Sequence, residues 1–269
     1  MFIGAIVGDI IGSRFKLNNY LSKDFDLFTP DCTFTGNTVM MLAIAELLTF
    51  AKGHKGSLFL HTGAPYYLKK YGKLHPNVGY ESQFSEWLFS TDDSQYNGFC
   101  SCAATRIIPA AFVYSNDSRP QGLLPLVDCI TEVTHNHPEG LKGAEATAYC
   151  VWDALHGKSK EEIRAYITND FYSLDFNLDS IRNTYCFSET CQNTVPQAIV
   201  AFLESTDFED AIRNAISIGG DSATLACITG GIAGAFYGVP REFEEKAAEF
   251  LTPDLWNTVE RFRSKYNLF

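Results

Sequence analysis

Apolar residues recur along this chain at intervals of three and four rather than in alternation, the spacing of helices that bury one face. From Thr38 to Lys52, the positions Val39, Met40, Leu42, Ala43, Leu47 and Leu48 make a broad apolar face, and Gly53 follows as a left-handed stop. Ser159 to Asn169 predicts an amphipathic helix. Ser159 and Glu162 have capping-box spacing there, and Glu161 and Glu162 place negative charge where the helix dipole favours it. Val195 to Glu204 predicts another, with Pro196 in its first turn, and Phe208 to Ile218 a third, carrying Ala211, Ile212, Ala215 and Ile216. Gly219-Gly220-Asp221-Ser222 then interrupts the pattern and opens a helix built on Ala223, Ala226, Gly230, Gly231, Ala233 and Gly234. Small residues let neighbouring helices approach closely, so this element is expected at the buried centre. Its first N–H groups would point at whatever lies above Asp221.

Composition narrows the picture. The chain has 269 residues, 46% hydrophobic and 20% charged, with 21 Phe and 13 Tyr, enough apolar surface to offset the entropy of ordering it. No repeat, low-complexity tract or linker divides residues 1–269, so one domain is expected. The net charge of −11 and the lack of a Lys/Arg cluster argue against a nucleic-acid partner. The apolar start, Met1 to Gly8, has no basic leader and is cut by Asp9, so no export signal is expected. The run Ala223 to Gly238 is too short and glycine-rich for a membrane span. Eight scattered cysteines then suit reduced thiols in a cytoplasm. Cys100-Ser101-Cys102 has suggestive local spacing, but with no second pair and no nearby histidine in the sequence it does not define a zinc site.

Candidate chemistry gathers in three distant motifs: Gly8-Asp9-Ile10-Ile11-Gly12, Phe34-Thr35-Gly36-Asn37-Thr38 and Gly219-Gly220-Asp221-Ser222-Ala223-Thr224. Two of them open helices, and all place Gly, Thr or Asp where N–H groups and side-chain oxygens can surround an ion. With Gly79 to Phe84, Asn97 to Arg106, Val133 to Gly140 and Cys191 to Pro196, in that order, the chain resembles the ADP-ribosylglycohydrolases over almost its full length. The resemblance implies an all-α domain whose cleft holds two magnesium ions that bind the ribose hydroxyls of ADP-ribose.

The departures from that family are chemically specific. The family's Thr-Asp-Asp is here Thr35, Gly36 and Asn37, and its Asp-x-Asp-Thr is Asp221, Ala223 and Thr224, so three of four carboxylates are missing. Position 16, a glutamate in the family, is Lys16, an ammonium expected to repel cations and attract a carboxylate or diphosphate. The family's glycine-rich ligand loop becomes Cys100 to Arg106, with both glycines replaced by cysteine, which reshapes the approach to a diphosphate. No metal is expected at the remnant positions Thr35, Gly36, Asn37, Asp221, Ala223 and Thr224, and no cofactor, where the family would use two magnesium ions.

Carried over position by position, the ligand-binding candidates are Asp9, Lys16, Thr35, Asn37, Phe99, Ser101, Cys102, His135, His137, Gly219, Gly220, Asp221 and Thr224. Several have a plainer alternative. Asp221 can be a helix N-cap, and Thr35 and Thr224 capping or packing hydroxyls. Asp9 in an apolar helix must be hydrogen-bonded and is expected to brace the cleft from behind. One of His135 and His137 is expected to be structural, Arg106 to sit in a structural salt bridge, and Phe99 and Tyr96 either to stack on an adenine or to pack in the core. The resulting expectation is a pseudoenzyme that binds an ADP-ribose-like nucleotide, an ADP-ribosylated protein or another protein partner. The alternative is an active glycosidic hydrolase using Asp221 and an acid from among Glu81, Asp92, Asp93, Glu139 and Glu189. A third reading, in which an active enzyme was altered to trap its ligand, requires Lys16, Gly36, Asn37, Ala223 and the cysteine loop to have been changed together.

Overall fold

The computed structural model describes residues 2–16, 18–51, 57–118 and 121–268. The described chain is all-α, with no β-sheet. In order the helices are α1 (Ile3–Ser13), α2 (Gly36–Phe50), α3 (Ser57–Leu74), α4 (Ser82–Phe89), α5 (Cys102–Arg106), α6 (Ile108–Val113), α7 (Leu123–Thr131) and α8 (Pro138–Leu155). They continue with α9 (Lys160–Asp170), α10 (Leu178–Ile181), α11 (Val195–Leu203), α12 (Phe208–Ile216), α13 (Ser222–Phe236), α14 (Arg241–Phe250) and α15 (Pro253–Tyr266).

Capping chemistry sets several of these boundaries. Ser159 and Glu162 close the capping box of α9, and Asp207 accepts from Asp210 N at the start of α12. The helix expected from Thr38 begins two residues earlier, because Thr35 is its N-cap and accepts from Asn37 N. The expected end of that helix at Lys52 and the stop at Gly53 lie outside the described residues. The helices read as ending at Glu204 and Ile218 stop at Leu203 and Ile216, with Glu204 and Ser217 as C-caps.

The core is organised around α1 and α13, which run antiparallel and in contact along their length. A Cβ on Gly4 would meet the Gly230 carbonyl oxygen, one on Gly8 that of Ala226, and one on Gly12 that of Ser222. The three glycines lie four residues apart on one face of α1, as do their partners on α13. The backbones therefore touch, which explains why α13 is buried from Ser222 to Gly234 and why small residues fill it. Helix α2 packs between α3 and α15, and α8 lies against α5, α7 and α13. This stacking brings the N-termini of α2, α4, α5 and α13 to one side of the molecule, where their loops meet.

Candidate functional site

The site is built on the buried Asp9 of α1, whose carboxylate projects to the N-terminus of α2. Its Oδ2 accepts from Thr35 N (2.8 Å), Thr38 N (3.3 Å) and Thr38 Oγ1 (2.6 Å). Its Oδ1 accepts from Thr35 Oγ1 (2.6 Å) and Asn37 Nδ2 (3.2 Å). An anion at a helix N-terminus is favoured by the dipole and by the free N–H groups, and these five donors compensate a carboxylate that the apolar core would otherwise exclude. Burial nonetheless holds the Asp9 carboxyl above its ordinary range, against the pull of those bonds. Asn37 extends the network: its Nδ2 also donates to Thr224 Oγ1 (3.1 Å), and its Oδ1 accepts from Thr105 Oγ1 (3.1 Å).

Asp221 caps α13, accepting from Thr224 N at 3.2 Å, and its other oxygen faces Lys16 Nζ at 3.4 Å. Burial pulls the Lys16 ammonium down, but Asp221, Asp9 and Glu189 outweigh it and raise its pKa. Lys16 is therefore charged and already paired. The sequence-level expectation that it attracts an incoming anion is tempered by this internal partner.

Above this floor lies a narrow cleft with a cavity volume of about 30 Å³, far smaller than an open ligand pocket. Lys16, Thr35, Gly36, Asn37, Ser101, Cys102, Asp221 and Thr224 line it, together with Tyr80, Glu81 and Glu189. The Tyr80 ring covers Gly36, where a Cβ would lie 2.7 Å from Cδ1, and its hydroxyl is anchored by donating to His75 O (2.9 Å). Glu81 is engaged as the N-cap of α4, accepting from Gln83 N and Phe84 N at 2.9 Å each. Glu189 is pushed up by burial, with Lys16 pulling it down and Glu81 and Asp221 pushing it further up. Of the other acids considered, Asp93 pairs with Lys69 and Glu139 with Lys142, while Asp92 accepts from Ser94 N. None of these three lines the cleft.

The remaining sequence candidates lie beneath or beside the cleft. Gly219 and Gly220 take positive φ values of 74° and 70° in the turn before α13, and Gly220 N donates to Asn19 Oδ1 (2.8 Å). His137 is the N-cap of α8, accepting from Glu139 N (3.1 Å), and Phe99 packs beside its ring on the surface. His135 is fully buried, with Nε2 3.1 Å from Cys102 Sγ and Nδ1 2.8 Å from Thr134 Oγ1. Burial holds its imidazole below the ordinary value. Tyr96 packs edge-on against it. Arg106 departs from expectation, because no salt bridge is found for it among the described residues. It is wholly buried and donates through Nη2 to Thr131 O (3.0 Å) and Thr134 Oγ1 (2.7 Å).

Sequence reading missed Tyr80 as the cleft's cover, Asn19 as the lock on the glycine turn, and Thr105 as a partner of Asn37. Tyr80 stood within a family-like stretch and was open to discovery. Asn19 carried no local signal. The proximity of His135 to the cysteine pair also corrects the reading that no histidine is at hand, since the fold brings it from 33 positions away.

Comparison with known proteins agrees with this architecture. The family model described as ADP-ribosylglycohydrolase matches residues 1–267, and the chain belongs to that family. It is 32% identical over 131 residues to ADP-ribosylarginine hydrolase Tri1 of Pseudomonas putida (strain GB-1). That match spans 44% of this chain and 34% of the relative's length. A solved structure titled "ADP-ribosylglycohydrolase-related protein complex" superposes with a TM-score of 0.70 at 22% identity, covering 99% of this chain and 95% of that one, a likeness of fold.

The two magnesium ions that the resemblance implies do not fit the residues present. Asp9 is engaged by five donors, Asp221 is neutralised by Lys16, Gly36 lies under the Tyr80 ring, and Ala223 offers only a methyl group. Two hard dications need several free oxygen ligands and carboxylate charge that this floor does not supply.

Proposed function

We propose that this chain binds an ADP-ribose-like nucleotide, free or carried on a protein, in a cleft that uses an internal ammonium in place of two divalent cations, and that it does not hydrolyse its ligand. The observation that carries this reading is the Lys16–Asp221 ion pair at 3.4 Å, which supplies the counter-charge a metal would otherwise provide. Lys16 is the one cation among the cleft-lining residues, and Ser101 and Thr35 add hydroxyls within the same wall. We read residues 1–269 as a single unit. All eight cysteines are free of disulfides, which suits a reducing compartment such as the cytoplasm. Among the described residues no helix is long and apolar enough to cross a membrane.

Isothermal titration with ADP-ribose, with and without magnesium, tests the proposal. Equal affinity in both conditions supports it. Strictly magnesium-dependent binding, or none in either condition, overturns it.

A second reading has one specific observation in its favour. Glu189 lies in the cleft with its carboxyl held above the usual range by burial, the condition a general acid needs. Under that reading the purified chain releases ADP-ribose from an ADP-ribosylated protein, and Asp221→Asn and Glu189→Gln each abolish release.

A further inference from the structure

We propose that Cys100, Cys102 and His135 form a binding site for a single thiophilic divalent cation of the zinc class, with its fourth coordination position opening into the cleft. Among the described residues, this is the one group of three or more His, Cys, Asp or Glu whose ligand atoms all lie within 4.8 Å of one another. Tetrahedral zinc with two sulfurs and one imidazole nitrogen sets its ligands about 3.5 Å apart. Cys102 Sγ and His135 Nε2, at 3.1 Å, need only part slightly to admit the ion.

The surroundings hold the three ligands in place. Cys100 is fixed by an antiparallel bridge to Thr190 and by the flanking bonds Cys191 N to Phe99 O (3.0 Å) and Ser101 N to Glu189 O (2.7 Å). Cys102 is the first residue of α5, and His135 N donates to Thr131 O at 2.9 Å. The imidazole is oriented by Thr134 Oγ1 at Nδ1, so Nε2 faces the sulfurs, and Thr134 is held in turn by Arg106. Metal-bound histidines are commonly oriented by such an outer partner.

Arg106 supplies a second, independent observation. Its side chain is completely buried, and among the described residues its Nε and Nη1 have no hydrogen-bond partner. Donors left unsatisfied in the interior are costly, and metal-bound thiolate sulfurs would offer them acceptors without adding net charge. On binding, each thiol releases its proton to solvent and its sulfur donates an electron pair to the ion; no oxidation occurs. Because Cys100 and Cys102 line the cleft, the remaining position is reached by water or by a polar group of the cleft's own ligand. Sulfur ligands select against magnesium and calcium, so the site is separate in kind from the family's magnesium chemistry.

The test uses the full chain, reduced and stripped with chelator, titrated with Zn2+ against a chromophoric competitor and, in parallel, with Co2+ followed by absorption. The expected result is one equivalent of Zn2+, and a Co2+ adduct with thiolate-to-metal charge transfer and the strong ligand-field bands of a tetrahedral site. Cys100→Ser and Cys102→Ser each weaken binding on the order of 100-fold, and Thr134→Val on the order of tenfold. Cys186→Ser, at an exposed thiol elsewhere, leaves binding unchanged. Absence of the charge-transfer band in the unmodified chain overturns the proposal whether or not the variants fold, as does Zn2+ binding that survives removal of both cysteines. No nucleotide enters the experiment, so failure of ADP-ribose to bind leaves this result untouched.

Discussion

Asn37 donates to Asp9 and to Thr224 and accepts from Thr105, so both ends of its amide are used. A carboxylate in its place has no N–H to give, and would set a second negative oxygen about where Nδ2 now lies, 3.2 Å from Asp9 Oδ1. Asn37→Asp is therefore expected to lower stability by about 2–3 kcal/mol through a lost buried hydrogen bond and like-charge contact. Urea denaturation would show this as a lower midpoint at unchanged slope. Magnesium should not rescue that variant while Lys16 remains, and should rescue it once Lys16→Glu and Ala223→Asp are added. Stability equal to the parent without metal would mean that the Asp9 cradle is wired differently. Gly36→Asp is the harder step of such a restoration, because the new side chain meets the Tyr80 ring before it reaches the cleft.

Helix α1 shows how one element can be legible in part. Its apolar character was open to reading, and Asp9 within it was expected to brace the cleft from behind. Gly8 and Gly12, however, belonged to a motif read as ion-binding, whereas they let α1 lie directly on the backbone of α13. A sequence shows that a glycine is present, but which backbone it touches depends on Ala226 and Ser222, more than two hundred positions away. Distance along the chain also hid the meeting of Cys102 with His135, 33 positions apart, and the capture of Gly220 N by Asn19, 201 positions apart. Elements with local caps were easier: α9 was found within one residue because Ser159 and Glu162 act on their own turn. The seam predicts that Gly8→Ala forces α1 away from α13 and costs about 3 kcal/mol, the upper end for overpacking. Thermal unfolding would register the loss, and an unchanged melting temperature would mean that the two helices are not in backbone contact.

At the scale of the whole molecule, Asp128 on α7 and Glu145 on α8 are expected to contribute to the pH dependence of stability, alongside Asp153, which burial raises to about 6. Burial, then the charge and hydrogen bond of Asp128, raise Glu145 from 4.5 to about 7. Asp128 is itself raised by burial. Below 4.5 the folded and unfolded chains both hold the Glu145 proton, and between 4.5 and about 7 only the folded chain retains it. Stability thus falls as pH rises through that window and levels off above it. Glu145→Gln should flatten this slope and melt higher than the parent at about pH 8; a parallel dependence in both proteins would assign the proton elsewhere. The ammonium opposite Asp221 has a different consequence at this scale. A dissolved ion comes and goes with its concentration, and a chelator can strip it. A charge tethered to the chain through Lys16 cannot be withdrawn, so Asp221 keeps its counter-charge whatever the magnesium content of its surroundings.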